Sequence, residues 1–401
     1  MIKQIRVDQL KPGMYIHDLN CGWLDHPFVS NAFFVRDQAT VDKIVNLSIR
    51  ELYIDTLKGA DVWEARPQTE VNADLERRLQ EIARKRAEKP VTVELKDEAA
   101  RAHRLHAEAQ KIARQILDNV RLEQVIQLDR ALPLVSHMVD SIFRNQDALL
   151  PLARLKKLDD YIFEHSVGVS ALLIAFGRSM KLSKELIGEI ALGGLLLDIG
   201  KANIPEAILR KPAKLTDDEF ARIQSHVAEG LRLLEQAPGT SEVVRQMVGE
   251  HHERFDGSGY PNRLCGGQIS LYGQMAAIVD VYDAITSDKV YCRGMSPTQA
   301  MKKLLEWSKH HFDPQLVQGF IRAIGIYPTG TLVRLDSNRL GVVVEQNEGN
   351  LLEPVVRVFY HAGQQYYIPP EIVDLSKVQD KIASFENYAK WKIDPHQWLP
   401  V

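Results

Sequence analysis

Cysteine is scarce: 3 in 401 residues (Cys21, Cys265 and Cys292), odd in number and far apart. That excludes a disulfide-stapled scaffold and suits a reducing compartment. No run approaches the roughly 18 uninterrupted apolar residues of a membrane-crossing helix. The most apolar central stretch, "IALGGLLLDIG" at 190–200, is short and carries an aspartate. The first residues, "MIKQIRVDQLKPGMYIHD", lack the apolar segment and small-residue cleavage site of a secretory leader. A soluble cytoplasmic protein is the expectation. A basic excess is also missing: Lys and Arg total 50 against 53 Asp and Glu, a net charge of −3, which argues against a nucleic-acid polymer as partner. There are no clear repeats and no low-complexity tracts.

What is present is ordinary globular material, 45% hydrophobic and 26% charged, in a chain too long for one core. The pattern predicts a multidomain, mainly α protein in four parts. Residues 1–65 read as a small α+β accessory or regulatory module: "IRVDQL", "KPGMYI", "NAFFVRD" and "ELYID" alternate like strands, and "ATVDKIVNLSI" has helical spacing. His17, Cys21 and His26 are too scattered there for a metal site. Residues 66–125 read as a charged helical connector, interrupted at Pro90, with Ile112, Ile116 and Val120 as an apolar stripe. That stripe packs on a neighbouring element or serves as a dimerisation or signalling helix, which would make a homodimer. His103 and His106 read as part of its solvated face. Residues 126–327 run helix after helix, and residues 328–401 turn β-branched and turn-rich, a C-terminal β extension.

Within the helical part, His165, Asp198, His226, His251, His252, Asp280 and Asp283 each lie beside an apolar run. Several isolated buried charges would each be costly, so a shared partner is expected, and a bound metal is the simplest one. "HHERFDGSGYP" at 251–261 is nearly devoid of apolar residues and reads as a turn outside the core. Neighbouring histidines at a helix end splay by roughly 100°, so the pair could reach different sides of a metal cluster. Gly257 and Gly259 permit the sharp exit, and Pro261 stiffens it.

"HHERFDGSGYP", with "DIGK" upstream, "HVAEG" between and "IVDVYDAITSD" downstream, resembles the HD-GYP family, a branch of the HD metal-dependent phosphohydrolases. Matching stretches run from about residue 161 to 314. The resemblance implies an all-helical HD-type bundle and a cyclic di-GMP phosphodiesterase, and the flanking parts look like the arrangement in one subgroup. It implies His165, Asp198, His226, His251, His252 and Asp280 as ligands of two divalent ions, with Asp198 bridging. Fe or Mn suits imidazole and carboxylate donors, with Zn, Mg or Ni as alternatives. Asp198 and Lys201 are the implied catalytic pair, Lys201 also binding a substrate phosphate oxygen. Lys289 and Arg293 are implied as further substrate contacts. Gly259, Tyr260 and Pro261 form the motif loop, which the family associates with diguanylate-cyclase-type (GGDEF) partners; Tyr260 is structural first and a partner contact second.

The sequence departs from the family at three places. Leu197 stands where the family has the histidine of its HD pair, removing one donor from the group of His165, Asp198 and Asp280. Tyr161 replaces a glutamate that serves a third metal in some members, and Gln274 replaces a commonly basic residue. The expectation is metal-dependent hydrolysis of cyclic di-GMP to linear pGpG and on to GMP. The alternative is a catalytically weak cyclic di-GMP receptor or interaction module.

Overall fold

The computed structural model describes residues 1–22, 28, 30–47, 49–84, 92–122, 124–154, 161–211, 213, 215–287, 294–347, 349–394 and 397–398. It divides into two compact units: Met1–Arg78 with Ile204–Gln224, and Leu79–Asn203 with Ser225–Val401.

In the first unit, β1 (Ile2–Arg6), β2 (Tyr15–Asp18), β3 (Phe33–Phe34), β4 (Glu51–Asp55) and β5 (Arg66–Pro67) form a sheet in the order β3-β2-β4-β1-β5. All its pairings are antiparallel, with Ile2 opposite Asp55 and Arg6 opposite Glu51. Alternation sends Ile5, Ile16, Leu52 and Ile54 into one core, where Val41 and Ile44 of α1 (Gln38–Val45) meet them. The Asp37 side chain caps α1 by accepting from the Thr40 amide at 2.8 Å. The long helix α2 (Gln68–Ala83) leaves this unit.

The second unit is built on α3 (Leu95–Arg121), α4 (Ala131–Arg154), α5 (Tyr161–Ser179) and α6 (Lys184–Leu196). The first unit claims the short helices α7 (Glu206–Leu209) and α8 (Asp217–Gln224). The second resumes with α9 (His226–Glu235), α10 (Glu242–Glu250), α11 (Leu271–Thr286), α12 (Pro297–Trp307) and α13 (Pro314–Ile324). Side chains of Ser183, Ser241, Ser270 and Ser296 cap α6, α10, α11 and α12, fixing where each begins. Among the described residues, no helix is long and apolar enough to cross a membrane.

The second unit also contains residues that the sequence divides among a connector, a helical domain and a β extension. Two buried polar junctions explain the union. The apolar face of α3, from Ala99 to Val120, packs on α4, and fully buried Glu98 sits within that contact. Glu98 accepts from Arg144 Nε at 2.8 Å, Arg144 Nη2 at 2.9 Å and Ser141 Oγ at 2.8 Å. The second junction lies where α4 breaks at Asn145, whose backbone is extended. There Asp147 accepts from Thr329 Oγ1 at 2.6 Å and from the Gln346 amide at 3.3 Å. It thereby ties α4 to the C-terminal sheet of β6 (Leu332–Leu335), β7 (Arg339–Glu345), β8 (Val355–His361), β9 (Tyr366–Asp374) and β10 (Ile382–Phe385), ordered β10-β6-β7-β8-β9. Leu332, Leu340, Val342 and Phe359 form one apolar cluster of this sheet, while Val333, Leu335, Val343, Val356 and Val358 form another. The short helix α14 (Tyr388–Trp391) adds Tyr388 and Trp391 to the first.

Burial pushes the Glu98 carboxyl up, but its hydrogen bonds to Arg144 and Ser141 and the arginine charge hold it below the usual glutamate range. A carboxyl held lower in the folded than in the unfolded chain stabilises fully above the unfolded value of about 4.3. That contribution disappears as pH falls through the lower folded value. Arg144→Ala leaves Glu98 buried without its partner and should cost about 3 kcal/mol. Glu98→Gln should lose stability at pH 7 and much less, relative to wild type, at pH 3. Urea denaturation at the two pH values checks both; equal losses for Glu98→Gln at each would contradict the ion-pair reading.

Candidate metal centre

Four helices of the second unit converge here. Asp198 lies two residues beyond α6, His226 opens α9, His251 and His252 follow α10, and Asp280 lies within α11. His165 joins them from α5. The turn Ile199–Asn203 carries Lys201 and can approach α9 because residue 200 is glycine: a Cβ there would stand 1.9 Å from the His226 carbonyl oxygen.

Two donor groups result. Asp198, His226, His251 and His252 form one, and His165, Asp198 and Asp280 form the other; within each, the candidate ligand atoms lie within 4.8 Å of one another. Asp198 belongs to both. Its Oδ1 is 3.4 Å from His226 Nε2 and 3.8 Å from His251 Nε2, while its Oδ2 is 3.4 Å from His165 Nε2. His165 Nε2 also stands 3.0 Å from Asp280 Oδ1. Lys201 Nζ donates to Asp198 Oδ2 at 2.6 Å.

The side chains carry the marks of metal ligands. Asp198 Oδ1 is buried and, among the described residues, has no hydrogen-bond partner, an expensive condition that a cation would relieve. His251 Nδ1 donates to the Val248 carbonyl at 2.9 Å, which leaves the Nε2 lone pair directed at the group. His165 Nδ1 donates to Asp283 Oδ2 at 2.6 Å, which does the same for its Nε2. His226 Nε2 and His251 Nε2 face each other at 3.2 Å, two nitrogen donors around one point. The residues fit divalent metal ions.

Charge follows this geometry. Burial resists ionisation of Asp198, yet Lys201 and the surrounding imidazoles hold its carboxyl far below the carboxylate range. Burial likewise pushes His251 and, more strongly, His252 down, which keeps them neutral as ligation requires. His165 is the exception: burial works against its charge, but hydrogen bonds to Asp280 and Asp283 with their negative charge lift it to about 9. A cation held by His165, Asp198 and Asp280 would take the place of that proton.

Known proteins resemble this chain, one of them over nearly its whole length. The family model described as "HD domain" matches residues 136–316, and one described as "Domain of unknown function (DUF3391)" matches residues 2–131. A cyclic di-GMP phosphodiesterase of Pseudomonas aeruginosa is 41% identical over 394 residues, 98% of this chain and 94% of that protein. The chain belongs to the HD-GYP family. Its HD domain makes it a metal-dependent phosphohydrolase. Two Vibrio cholerae proteins match over shorter stretches. A cyclic di-GMP phosphodiesterase is 42% identical over 132 residues, 31% of this chain and 27% of that one. A 3'3'-cGAMP-specific phosphodiesterase 2 is 40% identical over 124 residues, 31% of this chain and 24% of that one.

Against the sequence expectations, this HD-GYP chain differs in one respect. The stretch 251–261 is half-buried over most of its length, and two of its polar residues are fully buried: His251 is 0% and Glu253 1% exposed. Polar residues can be buried there because partners meet them; Glu253 accepts the amides of Asn262 at 2.7 Å and Leu264 at 3.0 Å. Both histidines enter a single donor group, with ring centroids 4.1 Å apart; His251 keeps helical backbone at the end of α10.

Leu197 is buried and offers no donor. Gln274 spends its amide on the Ile269 carbonyl at 2.9 Å. Lys289, Arg293 and the side chain of Tyr161 lie outside the described residues, as do His26 and Pro90. Asp283 is the functional residue that sequence reasoning missed as the group that aims His165. The available signal was its position three residues beyond Asp280, on the same face of α11.

Removing the Asp283 carboxylate should therefore weaken one donor group and spare the other. Asp283→Ala is expected to lower Mn²⁺ affinity of the three-donor group by about 10–100-fold. The free-Mn²⁺ electron paramagnetic resonance signal, followed through a titration, reads this directly; an isotherm matching wild type would refute the orienting role.

Proposed function

We propose that this HD-GYP protein hydrolyses cyclic di-GMP through two divalent ions, giving linear pGpG and on to GMP. The observation that carries the reading is the buried Asp198 carboxylate, shared by two donor groups and left, among the described residues, with an unpartnered oxygen. Two-metal phosphoesterases place such a carboxylate between their ions. The choice of cyclic di-GMP is supported by the Pseudomonas relative, which aligns over nearly the whole chain and is named for that substrate. Fe and Mn suit the mixed imidazole and carboxylate donors best.

In this reading Asp198, His226, His251 and His252 hold one ion, and His165, Asp198 and Asp280 hold the other. Bound ions would supply a hydroxide at neutral pH and polarise the scissile phosphoryl group. The protein's own residues do the rest. Asp283 and the Val248 carbonyl keep the His165 and His251 protons on Nδ1, so that Nε2 remains a donor. Lys201, beside Asp198 and partly open to solvent, is placed to take a phosphate oxygen and offset the charge that builds in the transition state. Lys289 and Arg293 would contribute further phosphate contacts, and the Gly259–Pro261 loop would face diguanylate-cyclase-type partners.

Leu197 favours a second reading, a receptor that binds the dinucleotide and turns it over poorly. With three protein donors instead of four, the ion held by His165, Asp198 and Asp280 would bind more weakly. Single-turnover assays of the Mn²⁺-loaded protein on cyclic di-GMP and 3'3'-cGAMP, side by side, distinguish the readings. Product from cyclic di-GMP that disappears in Asp198→Ala supports the phosphodiesterase; tight binding without product supports the receptor; faster cleavage of 3'3'-cGAMP would reassign the substrate. Leu197→His should raise metal content or rate, and no change in either would show that the missing donor is compensated elsewhere.

A further inference from the structure

Three imidazoles follow the α9 and α10 boundaries into the four-donor group, and they are not held alike. The Val248 carbonyl aims His251 through a hydrogen bond. Among the described residues, no comparable hydrogen bond is seen at the His252 ring. Its surroundings are aromatic: the Tyr260 ring lies 4.6 Å away at an interplanar angle of 21°, with His251 at 4.1 Å and His226 at 5.0 Å. An imidazole without a hydrogen bond keeps its rotation about χ2 unless flat surfaces confine it.

The loop is built to put Tyr260 in that place. Residue 259 is glycine, and a Cβ there would stand 2.4 Å from both the Arg254 nitrogen and the His252 carbonyl oxygen. The returning chain can thus lie directly on the backbone of the histidine it left. The Tyr260 amide donates to the His252 carbonyl at 3.2 Å, and the buried Glu253 carboxylate closes the ring by accepting the Asn262 and Leu264 amides. Tyr260 itself is only half-buried, so it is not core filling. Glycine brings the chain close, glutamate closes the loop, and tyrosine supplies the flat surface.

We infer that the Gly-Tyr-Pro loop is a clamp on the His252 imidazole, with Tyr260 as a positioning residue that sets the ring's orientation toward the four-donor metal group. This rests on the reading of His252 as a ligand. It explains why the loop follows the paired histidines immediately in the chain, independently of any partner protein.

Co²⁺-substituted full-length protein provides the test, read by the visible d–d spectrum and by Co²⁺ affinity in competition with a chelator. Tyr260→Phe keeps the ring and should retain wild-type affinity and spectrum. Tyr260→Leu removes it and should weaken binding by about 10-fold or more, with altered d–d bands. If Tyr260→Leu fails to show a cooperative melt, Tyr260→Met serves as the non-aromatic variant. Wild-type affinity and spectrum in the non-aromatic variant would overturn the clamp, as would equal weakening by Tyr260→Phe. His252→Ala separates the two levels: if it leaves Co²⁺ binding untouched, the ligand assignment fails; if it weakens binding while the non-aromatic variant does not, the clamp alone fails.

Discussion

A buried carboxylate shared between two sets of donors is the constraint from which the site follows. Asp198 is 3% exposed, and among the described residues one of its oxygens has no hydrogen-bond partner. Such a group is tolerated only where positive charge surrounds it. Lys201 supplies part of that charge, and the ring of imidazoles provides donors for more. The local packing serves the same end. The capping serine before α6 fixes where that helix starts, and Gly200 allows the next turn to lie against the start of α9.

Around this carboxylate the protein spends several distinct devices on orientation. A carboxylate aims His165, a backbone carbonyl aims His251, and an aromatic ring lies flat on His252. Each acts from one step outside the donors, where small displacements have large consequences for metal affinity. The two donor groups are unequal, because the residue before Asp198 is a buried leucine. That asymmetry is where the proposed turnover is most open to change.

Much of this was legible in the residues. The strand alternation of "IRVDQL" and "ELYID", the helical periodicity through residues 126–327 and the β-branched end all correspond to observed elements. So does the gathering of His165, Asp198, His226, His251, His252 and Asp280, because charged residues beside apolar runs need a common partner. Other features were hidden for physical reasons. The burial of Glu253 depends on backbone amides contributed by residues nine and eleven positions later, which hydrophobicity does not report. The union of α3, α4 and the C-terminal sheet depends on Glu98 and Asp147, polar residues whose partners are distant in sequence. The grouping of Ile204–Gln224 with the N-terminal strands leaves no local mark in the chain.

The most direct measurement is anomalous X-ray diffraction from crystals of the full chain grown with Mn²⁺, recorded on both sides of the manganese edge. Two manganese peaks flanking the Asp198 carboxylate are expected, the stronger among His226, His251 and His252 and the weaker between His165 and Asp280. No peak at Asp198, or peaks only at residues outside both groups, would contradict the shared-carboxylate centre.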